Sequence, residues 1–129
     1  MPVHIDWDND EKTVIRYDYE GKWTWDELYE VTKTAVEMFK SVPHRTNVIH
    51  NLTNSSALPG GALSHAQRFS AQNPDNWGIS VVVGTSSFVS SLIQVFRKVY
   101  RQFGERYYIA PNLDKAREII AEHRPPAEK

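Results

Sequence analysis

The chain has 129 residues, with 15 Lys and Arg against 16 Asp and Glu, and it contains no cysteine. This length predicts a single domain, and the balanced charge gives no overall indication of a nucleic acid or an anionic membrane as a partner, so we expect no nucleic-acid partner. The lack of cysteine excludes a disulfide framework, a thiolate nucleophile and a cysteine-based zinc site.

The apolar runs of the sequence are all far shorter than a membrane span, and the first residues lack the apolar segment of a signal peptide. We therefore expect a cytoplasmic protein with no integral membrane segment. We expect residues 1–123 to form one α/β domain and residues 124–129, which begin Arg124-Pro125-Pro126, to form a flexible tail.

The first predicted elements are the two strands of a hairpin. Apolar and polar residues alternate over residues 3–8 and again over 15–19, on either side of a short polar turn. An alternation with a period of two residues is typical of half-buried strands, so the chain is expected to open with an antiparallel pair.

The first helix has a clear start signal. Thr24 and Glu27 have the spacing of a capping box, and Trp23 and Leu28 occupy the two positions of a hydrophobic staple. Pro43 marks the end of this helix.

The middle of the chain predicts strand, helix, strand and helix. We expect a strand over 47–52, a short helix from Gly61 to about Gln72, and a buried strand over the β-branched run 79–83. Gly84 ends that strand, and Thr85 or Ser86 is expected to cap the third helix.

The third helix has the strongest helical periodicity. Its apolar residues over 88–103 fill an arc wider than the usual stripe of a helix packed on a sheet. Gly104 is expected to end this helix in the left-handed conformation. A short strand over 106–109 and a last helix capped by Asn112 complete the pattern.

The predicted element order is therefore ββαβαβαβα, with about four helices. Strands that alternate with helices after a hairpin indicate a mainly parallel, mixed sheet with an antiparallel edge and helices packed against it. The predicted fold class is α/β.

This order resembles that of the STAS domains, the anti-sigma-factor antagonists of the SpoIIAA type and the cytoplasmic domains of sulfate transporters. The residues that carry the resemblance are Ile49-His50-Asn51-Leu52, the segment from Leu58 to Leu63, and Asn112-Leu113-Asp114-Lys115-Ala116. The resemblance implies a small non-enzymatic regulatory module, often switched by phosphorylation of a serine at the start of the second helix.

The chain departs from the STAS pattern at the switch itself. The usual Asp-Leu pair is Asn51-Leu52, and Pro59-Gly60-Gly61-Ala62 stands where the family has Asp-Ser-Ser-Gly. Gly61 then takes the phosphoacceptor's position and has no hydroxyl. A second alignment, on Asn54-Ser55-Ser56-Ala57, restores a serine but places it early in the loop. The chain therefore resembles a divergent member without the standard motif.

The loops after the two central strands are the first candidate site. If these strands are parallel neighbours, both loops emerge at one end of the sheet and lead into helix N-termini, which favour anions. The hypothesis is a small anionic ligand or a regulatory hydroxyl; the alternative is that these residues only form turns and caps. The candidate residues are Asn51, Thr53, Ser55, Ser56, Gly60, Gly61, Ser64, Thr85 and Ser86.

The third helix is the second candidate site. Its wide apolar arc fits packing on both the sheet and another helix, but it also fits a dimer or partner surface, or the wall of a pocket for an apolar ligand. The candidate residues are Phe88, Ile93, Arg97, Tyr100 and Arg101.

The histidines do not indicate a metal or catalytic site. The spacing of His44, His50 and His65 matches no ligand motif, and His50 is expected to be a hydrogen-bonded structural residue within a strand. We expect no metal and no cofactor.

The favoured function is a regulatory or protein-interaction module with a protein partner or a homodimer, controlled at the strand-end loops. The alternative is a carrier or sensor whose small ligand lies between the third helix and the sheet. An enzyme ranks last, because the residues assemble no nucleophile, base and orienting group.

Overall fold

The fold is built on a mixed sheet with the strand order β1-β2-β3-β4-β5. The computed structural model describes residues 2–56 and 58–123, so the predicted tail at 124–129 lies outside the described residues. The strands are β1 (Val3–Trp7), β2 (Val14–Gly21), β3 (Thr46–Ser55), β4 (Trp77–Val83) and β5 (Tyr107–Ala110). β1 pairs with β2 antiparallel, and every later pair is parallel. The predicted α/β class with an antiparallel edge hairpin is confirmed.

Five helices connect or follow the strands in this part of the chain. They are α1 (Trp25–Lys40), α2 (Ala62–Ser70), α3 (Ser87–Val99), α4 (Arg101–Gly104) and α5 (Leu113–Glu122). The capping box of Thr24 and Glu27 forms at the start of α1, and Asn112 accepts a hydrogen bond from the Lys115 amide at the start of α5. Ser86 rather than Thr85 caps α3.

The predicted third helix is in fact two helices, because Tyr100 leaves the helical conformation with φ −112° and ψ 65°. The predicted left-handed stop at Gly104 is also wrong, since the positive-φ glycines are Gly21, Gly61 and Gly84. Gly104 is needed for close packing instead. A Cβ there would lie 2.4 Å from the Phe96 carbonyl oxygen, so only glycine lets α4 fold back against α3.

β3 extends beyond its predicted end at Leu52. Asn54 and Ser55 pair with Glu20 and Gly21 of β2, which runs alongside and supplies the backbone partners. Thr53 and Ser55, expected in the loop, are therefore strand residues.

Alternation along the strands divides the core into two clusters, one on each side of the sheet. We call the side covered by α1, α2 and α3 the three-helix face, and the side covered by α5 the α5 face. The three-helix face buries many aromatic residues, among them Tyr17, Tyr19, Trp23, Phe39, Trp77, Phe96 and Tyr107. The α5 face buries Val14, Ile49, Val81, Val83, Ala110, Ala116 and Ile120.

Candidate functional site

An apolar cavity of about 90 Å³ lies on the three-helix face, between the sheet, α2 and α3. The sheet and the start of α1 supply Tyr19, His50, Leu52, Val82, Tyr107, Trp23, Trp25 and Leu28. The helical side supplies Leu58, Ala62, Leu63, Ala66, Phe69, Val89, Leu92, Ile93 and Phe96. Within residues 2–56 and 58–123, no charged carboxylate, lysine or arginine lines it.

The cavity exists because large rings on the sheet face small side chains on α2. Alternation in β3 turns Val48, His50 and Leu52 toward the three-helix face. Ala62 and Ala66 are four residues apart, so they lie on the same side of α2 and both line the cavity. Methyl groups at these two positions leave space that longer side chains would fill.

The polar groups at the floor of the cavity are paired with one another. The Tyr19 hydroxyl lies 2.8 Å from His50 Nδ1, and the Tyr107 hydroxyl lies 2.7 Å from Ser70 Oγ. Burial lowers the pKa of His50 to about 3 and raises the pKa of Tyr107 to about 12. Both side chains are therefore neutral at pH 7, and the floor carries no net charge.

Two further depressions, each of about 390 Å³, adjoin the cavity, and Leu58 lines all three spaces. Phe88, which is 68% exposed, lines both outer depressions. Leu58 thus lies at the border between the apolar cavity and the strand-end loops.

The predicted strand-end loops do emerge together, because β3 and β4 are parallel neighbours. One outer depression is lined by Thr53, Ser55, Ser56, Thr85 and Ser86, and the other by Gly60, Gly61 and Ser64. Asn51 lines neither and donates to Asp18 instead.

Five hydroxyls in these two depressions take part in hydrogen bonds within the protein. Thr53 donates to Asn51, and Thr85 pairs with Ser90. Ser86 accepts from the Val89 amide. Ser55 accepts from the Trp23 indole, and Ser64 donates to the Gly61 carbonyl. No lysine or arginine of the described ranges lines either depression, so neither offers a cation to an anionic ligand.

The predicted surface of the third helix does not form one patch. Phe88 is exposed, Ile93 lines the cavity, and Tyr100 packs against the core. Arg97 donates to the Tyr107 carbonyl and lies over the Tyr108 ring.

Arg101 extends along its own helix toward Glu105, at 3.6 Å. Of the two predicted basic residues, Arg97 and Arg101, Arg101 is therefore the one with a well-exposed side chain.

The sequence assigns no role to Trp25, which the structure places at the edge of the cavity. Its indole nitrogen donates to the Gly60 carbonyl at 2.7 Å, and its ring stacks on His65. His65 in turn lies 2.9 Å from the Tyr29 hydroxyl. These contacts attach the segment before α2 to α1, a role that no local pattern in the sequence signals.

The described residues contain no group of His, Asp or Glu that could hold a metal ion. Among the helices described, none is long and apolar enough to cross a membrane. The chain matches no protein-family model, and no curated protein is significantly similar to it.

Proposed function

We propose that this chain is a binding module for a small apolar molecule, held in the cavity between α2, α3 and the sheet. The observation that carries this proposal is the cavity itself, a partly open apolar space between α2, α3 and the sheet. Apolar pockets with a few polar groups are typical of small-molecule sites.

The volume limits the size of the ligand. The enclosed space of about 90 Å³ is smaller than the roughly 150 Å³ that holds one benzene ring, so a ring-sized ligand would also occupy the open side of the cavity next to Leu58. The enclosed part alone fits a short branched alkyl chain of about three or four carbons, and a single ring extends into the open side. Burying about four to six carbon groups at roughly 0.8 kcal/mol each gives a dissociation constant of about 0.3–5 mM.

Binding without catalysis fits the chemistry of the walls. Nucleophilic catalysis needs a nucleophile, a base and a group that orients the base. His50 is the histidine of the cavity floor, and its Nδ1 is bonded to a phenol rather than to a carboxylate. No serine, cysteine or lysine in the described ranges lines the cavity beside it.

The test is calorimetric titration and thermal unfolding with ethylbenzene as the probe. Ala66→Leu fills the cavity and should abolish binding, whereas Ala71→Leu, at an exposed position just after α2, should bind like the wild type. Saturable binding that only Ala66→Leu removes supports the proposal. Absence of binding to the wild type, or equal binding by all three proteins, would contradict it.

Protein association through α3 is a second candidate function, and a specific observation favours it. Phe88, Val95 and Val99 are 68%, 43% and 61% exposed. Their spacing of seven and four residues places them on one stripe of the helix. Exposed apolar stripes of this kind mark interaction surfaces.

This candidate is the regulatory or interaction module that the STAS resemblance implies, with the adjoining strand-end loops as its control point. Sedimentation velocity of the wild type and of Phe88→Ser/Val99→Ser tests self-association through the stripe. A dimer that the double variant loses would support it. A wild type that stays monomeric, and that forms no photo-crosslink from position 95 in its own host, would contradict it.

A further inference from the structure

We propose that the ligand carries one uncharged oxygen acceptor, such as a carbonyl, which the Nε2–H group of His50 binds at the floor of the cavity. This inference rests on the proposed function, since it names the chemical class of the molecule that occupies the same cavity. It follows from the hydrogen bonds of His50, the access to its second nitrogen and the charge of its surroundings.

The hydrogen bond to Tyr19 sets the tautomer of His50. The Tyr19 hydroxyl has His50 Nδ1 as its hydrogen-bond partner, at 2.8 Å. A phenol with a single strong partner donates to a neutral imidazole nitrogen, because its proton would otherwise be unpaired in an apolar site. Nδ1 is therefore the acceptor, and the ring proton lies on Nε2.

The Nε2 atom is accessible from the cavity. Nε2 has no hydrogen-bond partner among the described residues. Every fully buried side-chain nitrogen or oxygen of those residues does have a partner, so Nε2 is not fully buried. Nε2 therefore has free surface. Because His50 is only 7% exposed and lines the cavity, we infer that this surface faces the cavity.

Ring contacts hold the donor in a fixed direction. The imidazole stacks on Tyr17 with the ring centroids 4.6 Å apart, and Phe69 and Tyr107 lie within 6.4 Å. A donor held in this way selects a ligand by the position of its acceptor as well as by size. A ligand without an acceptor leaves Nε2–H unpaired against apolar side chains, which is unfavourable.

The surroundings select a neutral acceptor over an anion. Burial holds the pKa of His50 at about 3, so the ring binds as an uncharged donor at pH 7. A carboxylate in the cavity would have no positive partner among the described lining residues. A single-ring ketone, aldehyde or ester fits the size, the donor and the charge.

The experiment compares three probes of similar size, namely ethylbenzene, acetophenone and benzoate, by calorimetric titration at pH 7.5. The wild type is compared with Tyr19→Phe/His50→Phe, which replaces both members of the hydrogen-bonded pair by apolar rings and so leaves neither unpaired. Ethylbenzene binding shows in each protein whether the cavity is intact.

We expect the affinity ratio of acetophenone to ethylbenzene to be about fivefold to tenfold higher in the wild type than in the double variant. An equal ratio in the two proteins, or benzoate binding tighter than acetophenone, would overturn the inference and leave the proposed function standing. Failure of all three probes to bind the wild type would overturn the proposed function itself.

A second measurement does not depend on how the variant folds. The ring ¹⁵N resonances of His50 should show the Nε2–H tautomer in the free protein. Acetophenone should shift the Nε2 resonance more than ethylbenzene does at equal occupancy. A Nδ1–H tautomer, or equal shifts from both probes, would overturn the inference.

Discussion

The two faces of the sheet are covered by different kinds of side chain. On the α5 face, aliphatic side chains of the sheet such as Ile49 and Val81 form one buried cluster with Ala116 and Ile120 of α5, and Ala116 is fully buried. On the three-helix face, aromatic side chains meet the alanines of α2, and a cavity is left between them. The comparison shows that the two faces of one sheet can differ in whether the side chains of the helices fill the space above the strands.

The edges of the two faces differ as well. Beside the α5 face, the buried carboxylate of Asp8 joins β1 to α5 through a two-point contact with Arg117 and a further bond to Arg16. The three-helix face is bordered by Leu58, Trp25 and the strand-end loops. The first edge is held by ion pairs, and the second by apolar and aromatic contacts.

The largest expected effect comes from adding the same bulk to each face. Ala116→Leu should lower the free energy of unfolding by about 2–3 kcal/mol, because Ala116 is fully buried among the side chains of the sheet and three added carbons would overpack this cluster. Ala66→Leu should change it by less than about 0.5 kcal/mol, because the added carbons enter existing space. Urea unfolding of both variants measures this, and equal losses would remove the contrast between the faces.

Breaking the ion-pair edge should have the next largest effect. Asp8→Asn should cost about 2 kcal/mol, because two arginines lose a charged partner. Asp114→Asn is the matched control. Asp114 is 92% exposed and lies 3.7 Å from the same Arg117, so its loss should cost less than about 0.5 kcal/mol.

The carboxylate of Asp8 should also make the fold less stable in acid. Burial opposes the ionisation of Asp8, but hydrogen bonds from Arg117 and Arg16 outweigh it and hold the pKa of Asp8 below its usual value. A lowered carboxyl pKa stabilises the fold above about pH 4, and that stability is lost as the pH falls further. Asp8→Asn should lack this loss; unchanged acid sensitivity in the variant would contradict the assignment.

His50, on the three-helix face, should make the free energy of unfolding depend on pH in a range above that of Asp8. The pKa of His50 falls to about 3 on folding, so the unfolded chain binds the proton first. Stability should therefore fall below about pH 6.5, by about 1.4 kcal/mol between pH 7.5 and 5.5. The neighbouring Tyr19 and Tyr107 titrate far above this range.

Urea unfolding at the two pH values tests this prediction. Tyr19→Phe/His50→Phe should lose the part of the pH dependence that His50 contributes. An identical dependence in the variant and the wild type would show that His50 is not the group responsible.

The smallest expected effect comes from removing a helix N-cap on each face, where the two variants should lose the same stability but differ in ligand binding. Ser86→Ala and Asn112→Ala each remove one helix N-cap, and each should cost about 1 kcal/mol. Of these two helices only α3, which Ser86 caps, lines the cavity. Only Ser86→Ala should therefore weaken ethylbenzene binding. Equal weakening by both caps would mean that binding follows global stability.

The parts of the fold that depend on local signals could be predicted from the sequence. The opening hairpin follows from alternation, and the caps at Thr24 and Asn112 follow from the side chains that satisfy free amides. The break at Tyr100 could not be predicted, because the apolar periodicity continues through it. It depends on Gly104 meeting the Phe96 carbonyl, a contact between two turns that the spacing does not encode.

The sequence predicts the cavity only as one of several alternatives for the apolar arc of the third helix. The others are packing on the sheet and another helix, and a dimer or partner surface. Its existence depends on the volumes of side chains from several elements, such as Ala66, Phe69 and Tyr107, which meet only in the folded chain. His50 was predicted as a hydrogen-bonded strand residue, and its bond to Tyr19 agrees with that. Its partner lies 31 residues away, beyond the reach of any local pattern.

The most direct test of the central claim is a methyl NMR titration of the protein with ethylbenzene. The account predicts saturable shifts of Leu63, Leu92 and Ile93, which line the cavity, and small or no shifts of Ile49, Val81 and Ile120 on the α5 face. Shifts spread equally over both faces, or no shifts at millimolar probe, would contradict it.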